Sequence, residues 1–394
     1  MDIALDDEQL ALMDSVRRFV KNEIRPLELE LDPDASELAP DDFERLTKMT
    51  KGMGLYNSDV SEEYGGPGLS LVTQCLLAIE KAQHRAGLYS PCYETFGSGA
   101  WVNVLTDANE EQKNRYLYPL LNGEISACFG LSEPSGGSDP ARAIRTRAVR
   151  DGDEWVINGS KMWISSSVDA AICFLFARTG EPGSGRSGVT CFIVGTDSPG
   201  FHIRRVIHTI RAGHQATELQ FEDLRVPHEN ILGEEGKGFE LANKKLSAGR
   251  IPYSAQCIGV AVRAQELAIE YSKTREVFGS TLAQKQAIEW MLVDNEFDIR
   301  TATLATLHAA DLADRGLPYR TDAAIAKVLG TEAAGRVVDR AIQIHGGMGV
   351  AKEMPLERYY RELRIRRIGE GATEVQKMIV GRDLLNRPYK FFLG

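Results

Sequence analysis

Ile172-Cys173-Phe174-Leu175-Phe176 and Val189-Thr190-Cys191-Phe192-Ile193-Val194 decide how this chain is read. Both runs are short, apolar and rich in β-branched or aromatic residues. Bounded by turn residues, such runs read as strands rather than buried helices. Upstream, Ile144-Arg145-Thr146-Arg147-Ala148-Val149 alternates, and Trp155-Val156-Ile157 is a further apolar run. Downstream, Glu218-Leu219-Gln220-Phe221-Glu222 alternates too. Asp151-Gly152-Asp153, Asn158-Gly159 and Pro182-Gly183-Ser184-Gly185 supply the turns. Strands at roughly 8–12-residue spacing with these signals predict a compact antiparallel β domain over residues 126–237.

Outside it the period changes to that of helices. Leu10, Met13, Val16, Val20 and Ile24 lie on one helical face. Asp6 stands as an N-cap with Gln9 three residues on, and Pro26 is expected to end the segment. Further helices are predicted from about Ser70 to Gln83 and from Asn109 to Leu121, giving an N-terminal helical domain over 1–125. Ala255–Thr274, 283–314, 321–345 and Thr373–Leu385 predict helices again, so residues 238–394 read as a four-helix bundle. The fold class is mainly α with a central β-barrel or sandwich.

Bulk properties narrow the function. The chain has 394 residues, 43 % hydrophobic and 26 % charged, with net charge −10 and pI about 5.4. That acidity repels phosphate backbones, so nucleic acid is not expected as a partner. Cys75, Cys92, Cys128, Cys173, Cys191 and Cys257 show neither a CxxC pair nor metal spacing, which suits a reducing compartment and no metal. No run of about 18 apolar residues occurs, so no membrane span is expected. The acidic start Met1 to Glu8 resembles neither a secretory signal nor a presequence. A cytoplasmic, bacterial-type or already processed protein is expected.

Four places could carry chemistry. Gly130-Leu131-Ser132-Glu133-Pro134-Ser135-Gly136-Gly137-Ser138-Asp139 is a loop with free N–H groups that can cradle a flavin edge or phosphates, or simply link domains. Lys161-Met162-Trp163-Ile164-Ser165-Ser166 sets an aromatic before hydroxyls, although Trp163 alone reads as core. Gln343-Ile344-His345-Gly346-Gly347-Met348-Gly349 ends a helix, where Gly346 and Gly347 fit a plain C-cap. Arg358, Arg361, Arg364, Arg366 and Arg367 follow as a basic cluster, read as a solvated helix face. In Ile368-Gly369-Glu370-Gly371-Ala372-Thr373-Glu374 one carboxylate lies between glycines, which let the backbone turn sharply and approach a ligand. Gly183-Ser184-Gly185-Arg186-Ser187-Gly188 fits GxGxxG, but strands flank it, so it reads as a hairpin loop and not a dinucleotide fingerprint. Arg204, Arg205, His208, Arg211 and His214 read as a surface loop.

Together, GLSEPSGGSD and QIHGGMGVAKEMPLERYYRE resemble the two signatures of the FAD-dependent acyl-CoA dehydrogenase family, over essentially the whole chain. The resemblance implies removal of the α-proton of an acyl-CoA by Glu370, with the β-hydride passing to FAD N5 and trans-2-enoyl-CoA as product. It implies that Phe129, Leu131, Ser132 and Ser138 line the flavin and the acyl-CoA, and that Trp163, Ile164 and Ser165 meet the ring. Arg275 and Phe278 match positions holding FAD pyrophosphate across a subunit contact. Gln286, Gln343, Gly346, Gly347, Ala372, Thr373 and Glu374 match further FAD contacts. Arg250, Gly369 and Gly371 fall on the substrate side with Ser138. The implied partners are an acyl-CoA, electron-transfer flavoprotein as acceptor, and further copies in a homotetramer or homodimer.

The chain departs from the family pattern in places. Arg142 replaces a small residue. Gly249 occupies the alternative base position and cannot ionise. Gly369 stands where straight-chain members often carry Tyr, which predicts room for a branched, cyclic or bulky acyl group. A free carboxylate of pKa about 4.3 is far too weak a base for a thioester α-proton. Apolar burial and hydrogen bonds from the Glu370 N–H and a flavin ribityl hydroxyl to the thioester oxygen are the implied remedies. The competing readings are an oxidase or monooxygenase on this fold, a nucleic-acid-associated member and a non-catalytic helical protein. Glu370 argues against the first and the acidity against the second, while a yellow flavoprotein would exclude the last.

Overall fold

In the computed structural model residues 5–85, 91–181, 185–213 and 215–388 are described. Gly183, Ser184 and His214 lie outside them. Contacts divide the chain into two compact units. One comprises Glu62–Gly66 and Gly97–Leu246, and the other Met1–Ser61, Pro67–Phe96 and Ser247–Gly394.

The first unit is built on a sheet of β1 (Ala127–Gly130), β2 (Arg147–Asp151), β3 (Glu154–Ser165), β4 (Ile172–Arg178), β5 (Val189–Gly195), β6 (Phe201–Ile207), β7 (Ala216–Pro227) and β8 (Ile231–Leu232). The order is β6-β7-β3-β2-β4-β5-β8, with β1 beside β4. Most pairs are antiparallel; β1 and β2 meet β4 in parallel. Every residue of β4 is buried, as expected of an apolar run with no polar face. Phe192, Leu219, Phe221 and Trp155 complete that core. Arg204 and Arg205 lie on edge strand β6, not in a surface loop. Glu218 on β7 accepts from them at 3.0 and 2.7 Å, and Arg211 is buried.

The second unit carries the helices α1 (Asp7–Phe19), α2 (Leu71–Lys81), α3 (Gly238–Thr274), α4 (Gln286–Asp314), α5 (Arg320–His345), α6 (Leu356–Arg366) and α7 (Thr373–Asn386); the division of the chain falls inside α3. Asp6 and Gln9 form the expected capping box on α1. Pro26 does not end the segment. A π-helical turn at Val20–Ile24 precedes it, and Pro26 sits in the first turn of Arg25–Glu30, where its missing N–H costs nothing.

Small residues and buried amides hold α3, α4 and α5 together. Ser254 meets Thr306 at 2.8 Å and donates to the Ala326 carbonyl at 2.8 Å. Asn295 donates to Gln265 at 2.9 Å, and Gln265 to the Leu292 carbonyl at 2.8 Å. Asp298 on α4 pairs with Arg336 and Arg340 of α5. Helices α2 and α3 cross so closely at Gly259 that a Cβ there would stand 2.2 Å from the Ile79 carbonyl oxygen. The carboxylate of Asp314, at the end of α4, accepts from Leu71 N at 2.7 Å and Val72 N at 3.0 Å, so it caps α2. All six cysteines are free and buried. Among the described residues no helix is long and apolar enough to cross a membrane, and no cluster could hold a metal.

Candidate active site

In the sheet unit, β1 delivers Phe129 and Gly130 and then turns at Leu131, whose N–H donates to the Phe129 carbonyl at 3.1 Å. The turn lies against β3, where Met162 N donates to the Ser132 carbonyl at 2.9 Å. Beneath it is a buried ion pair. Lys161 Nζ lies 2.8 Å from Glu133 Oε1 and donates to the Leu131 carbonyl at 3.2 Å. The other demands of the Glu133 carboxylate are met by Arg145 N at 2.7 Å and Thr146 N at 3.0 Å. Burial pushes the Glu133 carboxyl up, yet Lys161 and the hydrogen bonds from Thr146 outweigh it and hold the carboxyl below its ordinary range.

The pairing of β3 with β7 slips between Met162 and Ile164. At this bulge Trp163 takes φ +66° and is 56 % exposed, whereas Ile164 turns inward and is buried. Trp163 taken alone reads as core, and this does not hold: the extra residue reverses the direction of its side chain, leaving the ring exposed. Thr217 Oγ1 donates to the Ile164 carbonyl at 3.0 Å and meets Ser167 at 2.6 Å, which pins the backbone behind the ring. Phe129, Leu131 and Ser132 thus sit beside Trp163, Ile164 and Ser165. Ser138 is exposed in the following loop.

In the helical unit, Glu370 lies in the tight turn between α6 and α7. Its φ is +54° and that of Gly371 is +93°. A non-glycine residue in this region is strained and persists only where its surroundings dictate it. Here they do. Lys327, fully buried on α5, donates to the Gly371 carbonyl at 3.0 Å and to the Arg367 carbonyl at 3.4 Å. Gln376 donates to the Gly371 and Glu370 carbonyls at 3.1 and 3.4 Å. Glu332 ties both flanks, accepting from Thr373 at 2.9 Å and pairing with Arg367 at 3.2 Å. Among the described residues no carbonyl accepts from the Glu370 N–H. Arg250 on α3 is buried beside this turn. Burial lowers its pKa, and the Glu370 charge opposes that. Gly369, Glu370, Gly371 and Arg250 are brought together as expected.

The basic cluster is not a solvated face. Arg358 and Arg366 are buried, Arg358 donating to the Pro33 carbonyl at 2.8 Å and Arg366 lying over the Tyr253 ring at 4.0 Å. Their spacing puts both on the side of α6 that faces its neighbours. Arg275 precedes a small hairpin, β9 (Glu276–Val277) and β10 (Ser280–Thr281), and Phe278 at its tip has φ +49° and is 99 % exposed. Gln286 begins α4 and is exposed. Gln343 is exposed on the last turn of α5, and Gly346 caps it at φ +58°. The rings of His345 and Tyr271 stack at 4.4 Å, which joins that turn to the end of α3 just before Arg275. Ala372, Thr373 and Glu374 open α7.

Family models for the N-terminal, middle and C-terminal domains of acyl-CoA dehydrogenase match residues 6–124, 128–224 and 236–385. The chain belongs to the acyl-CoA dehydrogenase family. The short-chain specific acyl-CoA dehydrogenase of Clostridium acetobutylicum is 38 % identical over 96 % of this chain and 98 % of its own. The butyryl-CoA dehydrogenase structure from Megasphaera elsdenii is 34 % identical, with TM-score 0.85 over 98 % of this chain and all of that one. A solved chain described as electron transferring flavoprotein of Acidaminococcus fermentans, in work on flavin-based electron bifurcation, is 34 % identical with TM-score 0.86, over 98 % of this chain and all of that one. The enzyme is an acyl-CoA dehydrogenase, an oxidoreductase, on the helix–sheet–helix fold expected of it.

Sequence reading missed Lys327, Tyr253 and the role of Glu133. A lysine inside Ala323-Ala324-Ile325-Ala326-Lys327-Val328-Leu329 was the available signal, because a charge on a helix face otherwise filled with apolar residues needs a buried partner. Burial, with Arg250 adding to it, brings the Lys327 amine down to about 8 against the pull of Cys257 and Glu370. A lysine whose folded pKa lies below its unfolded one leaves the unfolded chain holding more protons between about pH 8 and the unfolded value of about 10.4. Stability therefore gains from this group as pH rises through that window. In Lys327→Met that component should vanish when melting temperatures are compared from pH 7.5 to 10. An unchanged difference between the two proteins across the range would refute it.

Proposed function

We propose that the enzyme oxidises short acyl-CoA thioesters, with Glu370 as α-proton base and FAD held by the residues around Trp163. The observation that carries the reading is the strained Glu370, fixed between two glycines by Lys327 and Gln376, with its own N–H bonded to no described carbonyl. That N–H can meet a thioester oxygen as negative charge develops on it. Arg250 adds positive charge beside the carboxylate. Neither group must reorganise during proton removal, which is how a fixed site lowers such a barrier.

The residues fit FAD. Trp163 offers a half-exposed ring on a bulge braced by Thr217, with Ser165 two residues on and Ser132 against the same strand, where its carbonyl accepts from Met162 N. Bound FAD supplies the two-electron acceptor for the β-hydride. The chain's part is to orient the thioester, remove the proton and exclude water.

The short acyl group is supported by the relatives' names. Electron-transfer flavoprotein is the proposed acceptor, supported by the Acidaminococcus neighbour. Anaerobic titration of the yellow protein with butyryl-CoA tests the reading. Bleaching with formation of crotonyl-CoA is expected, and an unbleached flavin with every acyl-CoA tried would overturn it.

The enzyme assembles as a homo-oligomer, for which Trp290, Val293, Phe297 and Leu304 give support. They form an exposed apolar row at three-, four- and seven-residue steps along α4, 42–64 % accessible. Phe297→Glu should lower the mass measured by light scattering towards a monomer at micromolar concentration. An unchanged mass would show that this row is not the contact.

A further inference from the structure

We infer that Tyr253, and not the residue preceding the base, forms the acyl wall beside Glu370, and that it restricts the enzyme to short acyl-CoA thioesters. The inference rests on the function proposed above. It begins with Gly369. A Cβ built there would stand 2.8 Å from the Tyr253 hydroxyl and 3.9 Å from its ring carbon Cζ. Gly369 is absent from the glycines of positive φ, so its backbone would accept any side chain. What excludes one is the phenol. The space vacated beside the base is therefore not empty, as the sequence alone suggested. A ring from α3 occupies it instead of a ring from the turn.

Tyr253 is placed for this role by the helix. It follows Arg250 by three residues, so both side chains project from one face of α3 towards the turn that carries Glu370. The ring is buried, yet it belongs to none of the large apolar clusters of this unit. Arg366 lies over it at 4.0 Å and Lys327 at 6.0 Å. Two cations over one ring hold it by cation–π attraction, strongest where water is excluded. A ring fixed in this way is a rigid boundary. An acyl chain must end before it, and a branch on the Gly369 side meets the phenol hydroxyl.

Four proteins test this: the FAD-loaded wild type, Tyr253→Ala, Gly369→Ala and the double variant. In Tyr253→Ala the kcat/KM ratio of octanoyl-CoA to butyryl-CoA should rise at least about tenfold, the lower end of what a methylene in a closed pocket decides. The steric pairing has a readout that needs no turnover. Gly369→Ala should lower the melting temperature in the wild-type background and not in the Tyr253→Ala background, a coupling that only neighbours show. An unchanged chain-length ratio in flavin-loaded Tyr253→Ala, or equal destabilisation by Gly369→Ala in both backgrounds, overturns the inference. If wild-type flavin is bleached by no acyl-CoA, the proposed function falls and the chain-length role with it, while the melting cycle still decides whether Tyr253 and residue 369 compete for one space.

Discussion

Glu370→Gln is expected to lower the rate of anaerobic flavin bleaching by butyryl-CoA about 10²–10⁴-fold, the usual contribution of a positioned general base. The amide matches the carboxylate in size and cannot take the α-proton. The turn should survive the change, because Lys327 and Gln376 bind its backbone carbonyls and not the side chain. Stopped-flow absorbance on flavin-loaded protein measures the effect. A rate within about threefold of wild type would move the base elsewhere, since general-base losses are far larger than that. Neighbouring Gly249 cannot replace it, as it carries no ionisable group.

The largest loss of stability should come from Glu133→Ala. Removing one member of a buried pair leaves the other charged and unpaired, at a cost of about 3–5 kcal/mol. Lys161 is fully buried, and the Arg145 and Thr146 N–H groups would lose their acceptor as well. Urea unfolding checks this, and a loss under about 1 kcal/mol would contradict it. The double change Glu133→Leu with Lys161→Met removes both charges and should recover much of the loss. The pH dependence has a definite sign. A carboxyl held below its unfolded pKa of about 4.3 contributes stability that is present above that value and lost as pH falls through the lower, folded one. The acid limb of the wild-type stability curve should therefore be shallower in the double variant. Because the pair supports the Leu131 carbonyl and the strand leading to Trp163, Glu133→Ala should also retain FAD poorly.

The fold was legible where periodicity was strong and obscure where it was interrupted. The apolar run of β4 could only be a doubly covered strand, and the Asp6–Gln9 cap was visible at once. Pro26 misled because a π-turn absorbs it; Pro119 follows a similar turn at Lys113–Leu117 and enters the helix Tyr118–Asn122 in the same way. For the site, Glu370 between its glycines was readable because glycine marks where the backbone must turn. The exposure of Trp163 could be inferred from the resemblance alone and not from its own stretch, since a bulge is a property of two strands together and leaves no mark in one. Arg358 and Arg366 looked solvated because spacing along one helix says nothing of what packs against it. Tyr253 was invisible for the same reason. Its partner is Gly369, more than a hundred positions away and lacking the side chain that would have signalled contact.

The capping of α2 by Asp314 bears on the order in which a ribosome can complete this molecule. The carboxylate that starts α2 is made 243 residues after the helix it serves. The unit that contains both is assembled from the two ends of the chain, whereas most of the sheet unit is one continuous stretch between them. A nascent chain can thus close the sheet soon after residue 246 emerges. Its helix α2 must wait, with the face of Cys75, Ala78 and Ile79 uncovered, until α3, α4 and α5 have been made. A nascent chain stalled once residue 246 has cleared the ribosome should display a protease-resistant middle and a more sensitive α2.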